Sequence, residues 1–240
     1  MLENLIMPGG KLELREIKRD PNSTRKLNTY VSQIYDIDED ETKMSIAMPI
    51  KEGRAIPLAV GSRYDAYFYT KKGIYASVVT ITDRFRTSTL FVLVIELQTQ
   101  LKKFQRRQYY RFDTIFNLDY VILNEEEQKL AVEKQIIPES FPTERIIRGT
   151  TMNISGGGMK FSGSQLKPED KLWLEFSIAV NECMKRFRVI AHVVESTASA
   201  NKAGLYVNRI EFEVIPKTDQ ETLIRYIFEE ERKLRKNERI

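Results

Sequence analysis

The chain has 240 residues, room for two modest domains rather than one. With 42% hydrophobic and 30% charged residues it has the balance of a soluble protein with enough apolar material for two cores, and its net charge of +4 favours an anionic partner without requiring one. One histidine and one cysteine exclude a Cys/His zinc site and an internal disulfide, and a Ser–His–Asp triad would have to use His192, which lies inside the apolar run Val189 to Val194.

His192 therefore reads as a strand residue with its polar tip satisfied, and Cys183 as a small buried core filler. The N-terminus, Met1 to Ile6, has no basic region before its apolar residues and no long apolar segment after it, so it does not read as a secretory signal. The longest apolar run, Leu90 to Ile95, is far short of the ~20 residues that cross a bilayer. Together these features point to a cytoplasmic protein with no membrane span. No phosphate-binding loop or dinucleotide fingerprint is present, and the chain is not expected to be an enzyme.

The first ~100 residues read as short strands separated by turns, the pattern of a small barrel. Thr29 to Tyr35 alternates in polarity, as does Lys43 to Pro49. Asp38-Glu39-Asp40-Glu41 between them reads as a solvated turn. Tyr64 to Tyr69 and Ile74 to Thr82 flank Lys71-Lys72-Gly73, a hairpin loop in which Gly73 supplies a positive φ. Thr89 to Leu97, rich in β-branched residues, reads as a more buried strand.

A basic segment follows, Leu101 to Phe112, with five positive charges and no acid. The domain junction is expected here, near residues 98–105. A second β series starts at Tyr110 to Leu123. The polar, proline-containing stretch Asn124 to Pro142 reads as a loop with a partly helical excursion, its role unassigned. Strands resume at Ile146 to Ile154, Gly158 to Phe161, Leu172 to Ile178, Lys185 to Glu195 and Gly204 to Ile215. Pro216 stops the last of them. A terminal helix then follows, with Thr218 and Glu221 as a capping box and Leu223, Ile224, Ile227 and Phe228 as its apolar stripe.

Two elements carry binding chemistry. In Arg107-Gln108-Tyr109-Tyr110-Arg111 the two arginines are four apart and share a face, with Arg106 adjacent. Guanidinium groups suit phosphate oxygens and also stack on bases; the same run is compatible with an exposed linker bearing a few salt bridges. Tyr109 and Tyr110 read as anchors of the segment in the core. In Asn153-Ile154-Ser155-Gly156-Gly157-Gly158, Asn153 and Ser155 point to one face of a strand while Ile154 faces the core. The glycines remove side chains where the backbone turns sharply or approaches a ligand closely. A plain Gly-rich β-turn has the same composition.

As a pair the elements are more specific. An RxxxR segment opening a β-domain, followed about forty residues later by (D/N)xSxxG, resembles the double signature of the PilZ family. Arg107 and Arg111 match the first half, and Asn153, Ser155 and Gly158 the second. The preceding module resembles the N-terminal part of the flagellar-brake, YcgR-like subgroup. The resemblance implies a mainly β fold: an N-terminal split-barrel-like module (1–98), a basic linker carrying RxxxR (99–111) and a six-stranded PilZ barrel with a C-terminal helix (105–240).

It also implies cyclic di-GMP as ligand, with no other cofactor and no metal. The contacting residues would be Arg106, Arg107, Arg111, Asn153, Ser155, Gly156, Gly157 and Gly158, with Arg148 as an outlying contact. A protein partner in the flagellar motor or stator follows for this subgroup, at the basal body, with motility as output. Control of exopolysaccharide synthesis is the alternative within the family. Outside it stand a single-stranded nucleic-acid-binding barrel, which would show a broad basic surface and steep salt dependence, and an enzyme with two converging carboxylates. No nucleic acid is expected as partner.

Overall fold

The computed structural model describes residues 5–18, 27–38, 42–88, 90–180, 183–200 and 202–237. They fall into two compact units, residues 1–106 and 107–240, each built around its own core.

The first unit contains β1 (Lys11–Glu16), β2 (Thr29–Ile37), β3 (Lys43–Ala47), the short pair β4 (Ile50–Lys51) and β5 (Arg54–Ala55), β6 (Arg63–Thr70), β7 (Gly73–Arg86), β8 (Phe91–Leu97) and β9 (Lys102–Phe104). Strand order β6-β1-β2-β3-β8-β7, with β7 pairing back to β6, closes a six-stranded antiparallel barrel. Period-two alternation turns Leu12, Leu14, Ile34, Ile46, Phe68, Ile81, Leu93 and Ile95 inward, all buried. Thr70 pairs with Gly73, whose φ is +122°, as expected of the hairpin loop. The Thr70 hydroxyl tightens that turn, donating to the Gly73 carbonyl and accepting from the Lys72 amide.

The second unit contains β10 (Arg111–Asp113), β11 (Asn117–Ile122), α1 (Glu125–Gln128), β12 (Ile147–Ser155), β13 (Gly158–Gly163), β14 (Lys171–Val180), β15 (Cys183–Ala198), β16 (Tyr206–Val214) and α2 (Lys217–Asn237). Order β12-β11-β14-β15-β16-β13, with β13 pairing back to β12, closes a second six-stranded barrel, and β10 adds to β12. Tyr120, Phe161, Phe176, Phe187 and Ile154 fill it, and Leu223 and Ile227 of α2 cover it. The expected architecture, two small barrels and a C-terminal helix, is the one observed. Among the described residues no helix is long and apolar enough to cross a membrane.

The β series from Tyr110 to Leu123 is broken into two strands, β10 and β11. Met152 is a bulge in β12, and across it the chain leaves the ladder between Thr114 and Phe116, with Ile115 82% exposed. Several local expectations are corrected. Part of the basic linker is a strand: β9 pairs with Ile74 to Ala76, and Phe104 packs on Tyr67 at 4.8 Å between ring centroids. The terminal helix starts at Lys217, so Thr218 lies inside its first turn rather than at its cap.

Cys183 is exposed: it is the first residue of β15, opposite Val180 at the connecting end of the β14–β15 hairpin. His192 lies between Glu211 at 3.8 Å and Glu213 at 3.6 Å, and its buried Nδ1 makes no hydrogen bond. Of the acidic turn only Asp38 is described; its carboxylate accepts from the Thr42 and Lys43 amides, while 39–41 and Thr89 lie outside the described residues.

The unassigned stretch 124–142 closes a second, smaller core on the outside of the barrel. Asn124 and Glu127 form a capping box that starts α1, a π-helical turn continues through Lys129–Glu133, and Ala131 is buried. Val132, Ile137 and Phe141 then pack over Val121, Trp173, Ile190 and Val214. The Trp173 indole donates to the Pro138 carbonyl at 2.9 Å and meets Phe141 edge to face. Strands β11, β14, β15 and β16 thus carry apolar residues on both faces, and the excursion keeps the outer ones from water.

Candidate functional site

Strand β10 brings the arginine segment to the Asn/Ser strand. Arg111 stands directly opposite Ser155, Phe112 opposite Ile154, and Asp113 opposite Asn153. Residues opposite one another in an antiparallel pair share a face. Phe112 and Ile154 point into the core, so Arg111, Asp113, Asn153 and Ser155 share the outer face. Both Arg107 and Arg111 are exposed.

The turn after Ser155 is organised by protein contacts. The Ser155 hydroxyl donates to the Gly158 carbonyl at 3.0 Å and accepts from the Gly157 amide at 3.4 Å, so this buried side chain closes the turn. None of the three glycines has a positive φ. Their requirement is space. A Cβ on Gly156 would lie 2.7 Å from Ile224 and Tyr109, one on Gly157 2.8 Å from Tyr109, and one on Gly158 2.2 Å from the Ile210 carbonyl oxygen. At Gly156 and Gly157 the side that a Cβ would take is filled by Tyr109 and by Ile224 of α2. At Gly158 the missing side chain lets β13 approach β16.

Tyr109 thus anchors the arginine segment, against the glycine turn and α2 rather than in the core. Gln220 of α2 donates to the Gly156 carbonyl at 2.8 Å and to the Tyr109 hydroxyl at 3.3 Å. Tyr110 is 46% exposed and stacks on Phe228 of α2 at 6.4 Å, so it anchors to the helix and not in the core. Burial first, and then the Glu231 carboxylate, raise its phenol above the ordinary range. Sequence reasoning missed Gln220 and Ile224 as partners of the motif; they lie more than sixty residues from the turn, and no local pattern signals such a contact.

Arg106 ends the first unit and is held there. Its guanidinium donates to the Tyr69 hydroxyl at 2.7 Å, lies 5.5 Å from that ring's centroid and is 3.7 Å from Glu13. Burial and Glu13 raise the Tyr69 phenol, and Arg106 opposes them. Arg148 is not brought to the motif. It stands opposite Asp119, 4.0 Å from its carboxylate and 91% exposed. It lies five positions before Asn153 on the strand, about 16 Å at the usual rise.

The PilZ domain model matches residues 105–229, more than half of the chain. The chain belongs to the PilZ family. The region before its PilZ domain, residues 8–97, matches the N-terminal model described as flagellar protein YcgR. No curated protein sequence matches this PilZ protein. Among solved structures it is similar to the Bacillus subtilis inhibitor of motility MotI/DgrA, at 20% identity over 94% of this chain and 98% of that one, with a TM-score of 0.72. That likeness extends the shared fold through both units. YcgR from Escherichia coli in complex with c-di-GMP is also similar, at 15% identity over 95% of this chain and 87% of that one, with a TM-score of 0.47.

Proposed function

We propose that this PilZ protein is a cyclic di-GMP receptor that regulates a protein partner and performs no catalysis. The observation that carries the reading is the β10–β12 register, with Arg111 opposite Ser155 and Asp113 opposite Asn153, which sets Arg111 of the first motif half beside the second half on the outer side of the barrel. Cyclic di-GMP has two phosphates and two guanines. Arg107 and Arg111 pair with phosphate oxygens or with the O6/N7 edge of guanine. Arg106 stacks on a guanine face. Asn153 supplies an amide to a guanine edge or ribose, and Ser155 with Gly156, Gly157 and Gly158 holds the turn beneath. Arg148 contributes little, given its distance along the strand.

The proposed mechanism is ligand-ordered docking. The division between the two compact units falls between Arg106 and Arg107, inside the basic segment. Cyclic di-GMP neutralises the clustered charge of Arg106, Arg107 and Arg111, competes with Glu13 for Arg106 and so resets the relation between the two barrels. The output is flagellar motility through a motor or stator component, a reading supported by the YcgR match over residues 8–97. The protein then acts in the cytoplasm, at the flagellar basal body.

Calorimetric titration with cyclic di-GMP tests the ligand. Wild type binds, and Arg107→Ala with Arg111→Ala abolishes binding. No heat from wild type at tens of micromolar ligand sinks the receptor reading. X-ray scattering with and without ligand tests the mechanism, and two superimposable profiles count against it.

A further inference from the structure

We propose that Lys160 is a further ligand-binding residue of this site, its ammonium pairing with a phosphate of the bound cyclic dinucleotide. The proposal rests on the cyclic di-GMP reading above.

The sheet register points to it. On β13 Lys160 stands directly opposite Asn153 on one side and Arg209 of β16 on the other. Its neighbours Met159 and Phe161 are buried in the barrel, so Lys160 projects from the outer face, as Asn153 does. A transverse row results, Asp113, Asn153, Lys160, Arg209, Glu195, each opposite the next. Opposite side chains begin ~5 Å apart, and the four-carbon stem of lysine spans that gap to bring its charge beside Asn153.

An ordinary solvated strand lysine explains this environment less well. A carboxylate directly opposite stabilises a strand cation, and a like charge there destabilises it. Lys160 has an amide on one side and a cation on the other. Arg209 is itself occupied, donating to Glu195 at 2.8 Å. Among the described residues Lys160 makes no hydrogen bond or ion pair, although it is half-buried. Glu211, diagonal to Lys160 across the β13–β16 ladder, makes no ion pair with it, and Asp113 and Glu195 each lie one strand further away. A half-buried ammonium with no anion paired to it, next to Asn153, is a preformed place for an anionic oxygen.

The test is calorimetric titration of the full chain with cyclic di-GMP, comparing wild type with Lys160→Ala, Lys160→Gln, Lys160→Arg and, as control, the exposed Lys202→Ala. Lys160→Ala and Lys160→Gln are expected to weaken binding about tenfold at unchanged stoichiometry. Lys160→Arg should stay within about threefold and Lys202→Ala should match wild type. The Lys160→Ala penalty should shrink as salt is raised, a dependence that a purely structural role would not produce. If Lys160→Ala fails to fold, the Gln and Arg pair decides. Wild-type binding with Lys160→Gln indistinguishable from it overturns the role of Lys160 alone. Absence of wild-type binding instead overturns the receptor reading on which it rests.

Discussion

The ring of Tyr109 occupies the space where a Cβ on Gly157 would sit, its Cδ2 2.8 Å from that position. Gly156 and Gly157 are therefore spacers for the arginine segment itself. Gly157→Ala should destabilise the second barrel by about 1–3 kcal/mol through overpacking. In a Tyr109→Ala background the same substitution should cost only a few tenths. A double-mutant cycle in urea measures the coupling, and additive effects would show that Tyr109 is not the obstacle.

Gly158 differs in kind, because the obstacle is backbone. A Cβ there would lie 2.2 Å from the Ile210 carbonyl oxygen in the β13–β16 ladder. Gly158→Ala should unfold or severely destabilise the barrel, by about 3 kcal/mol or more if strands must separate. Thermal unfolding would read this directly. A variant with wild-type stability and lost ligand binding would instead mean that Gly158 serves the ligand.

Trp173 is the one tryptophan of the chain, 2% exposed under the 124–142 excursion. Its native fluorescence should be blue-shifted and should move to the red on unfolding. Trp173→Ala should cost about 3–5 kcal/mol. Trp173→Phe should cost less, retaining the contact with Phe141 but leaving the Pro138 carbonyl without its donor. A red-shifted native spectrum would show that the excursion does not cover the barrel.

Glu127 couples that excursion to pH. Its hydrogen bonds with Arg145, at 2.5 and 2.9 Å, and its bond from the Asn124 amide hold its carboxyl below the ordinary carboxylate range. A lowered folded-state pKa means that the unfolded chain takes up protons first. The stabilisation is complete above the ordinary Glu value and fades as pH falls through the lower folded-state value. Glu127→Gln should therefore flatten the loss of stability in acid. At neutral pH it should cost about 0.5–2 kcal/mol through the weakened capping box and ion pair. Urea midpoints of both proteins across the acid range check this, and parallel profiles would refute it.

Much of the fold was legible because strand alternation is local. Leu12 and Leu14 in Lys11–Glu16 follow that rule, and a strict period-two reading would have found this strand as well. The terminal helix was legible for the same reason, from Leu223 and Ile227. What failed were features set by distant partners. Cys183 was expected in the core from its chemistry, yet its place at a hairpin end exposes it. The break between β10 and β11 lies across the sheet from the Met152 bulge of β12, with one residue more on its own side than on β12.

The sequence by itself determined the two barrels, the spacing of the two motif halves and the family they resemble, because side-chain alternation and motif residues are written along the chain. Only the tertiary structure decided that Arg111 faces Ser155, that Lys160 flanks Asn153, that Arg106 is held by Tyr69 and Glu13, and that Tyr109 and α2 fill the side of Gly156 and Gly157. Strand register and cross-sheet neighbours depend on how closed barrels align segments far apart in the chain, and a one-residue slip would have turned each of these side chains to the opposite face.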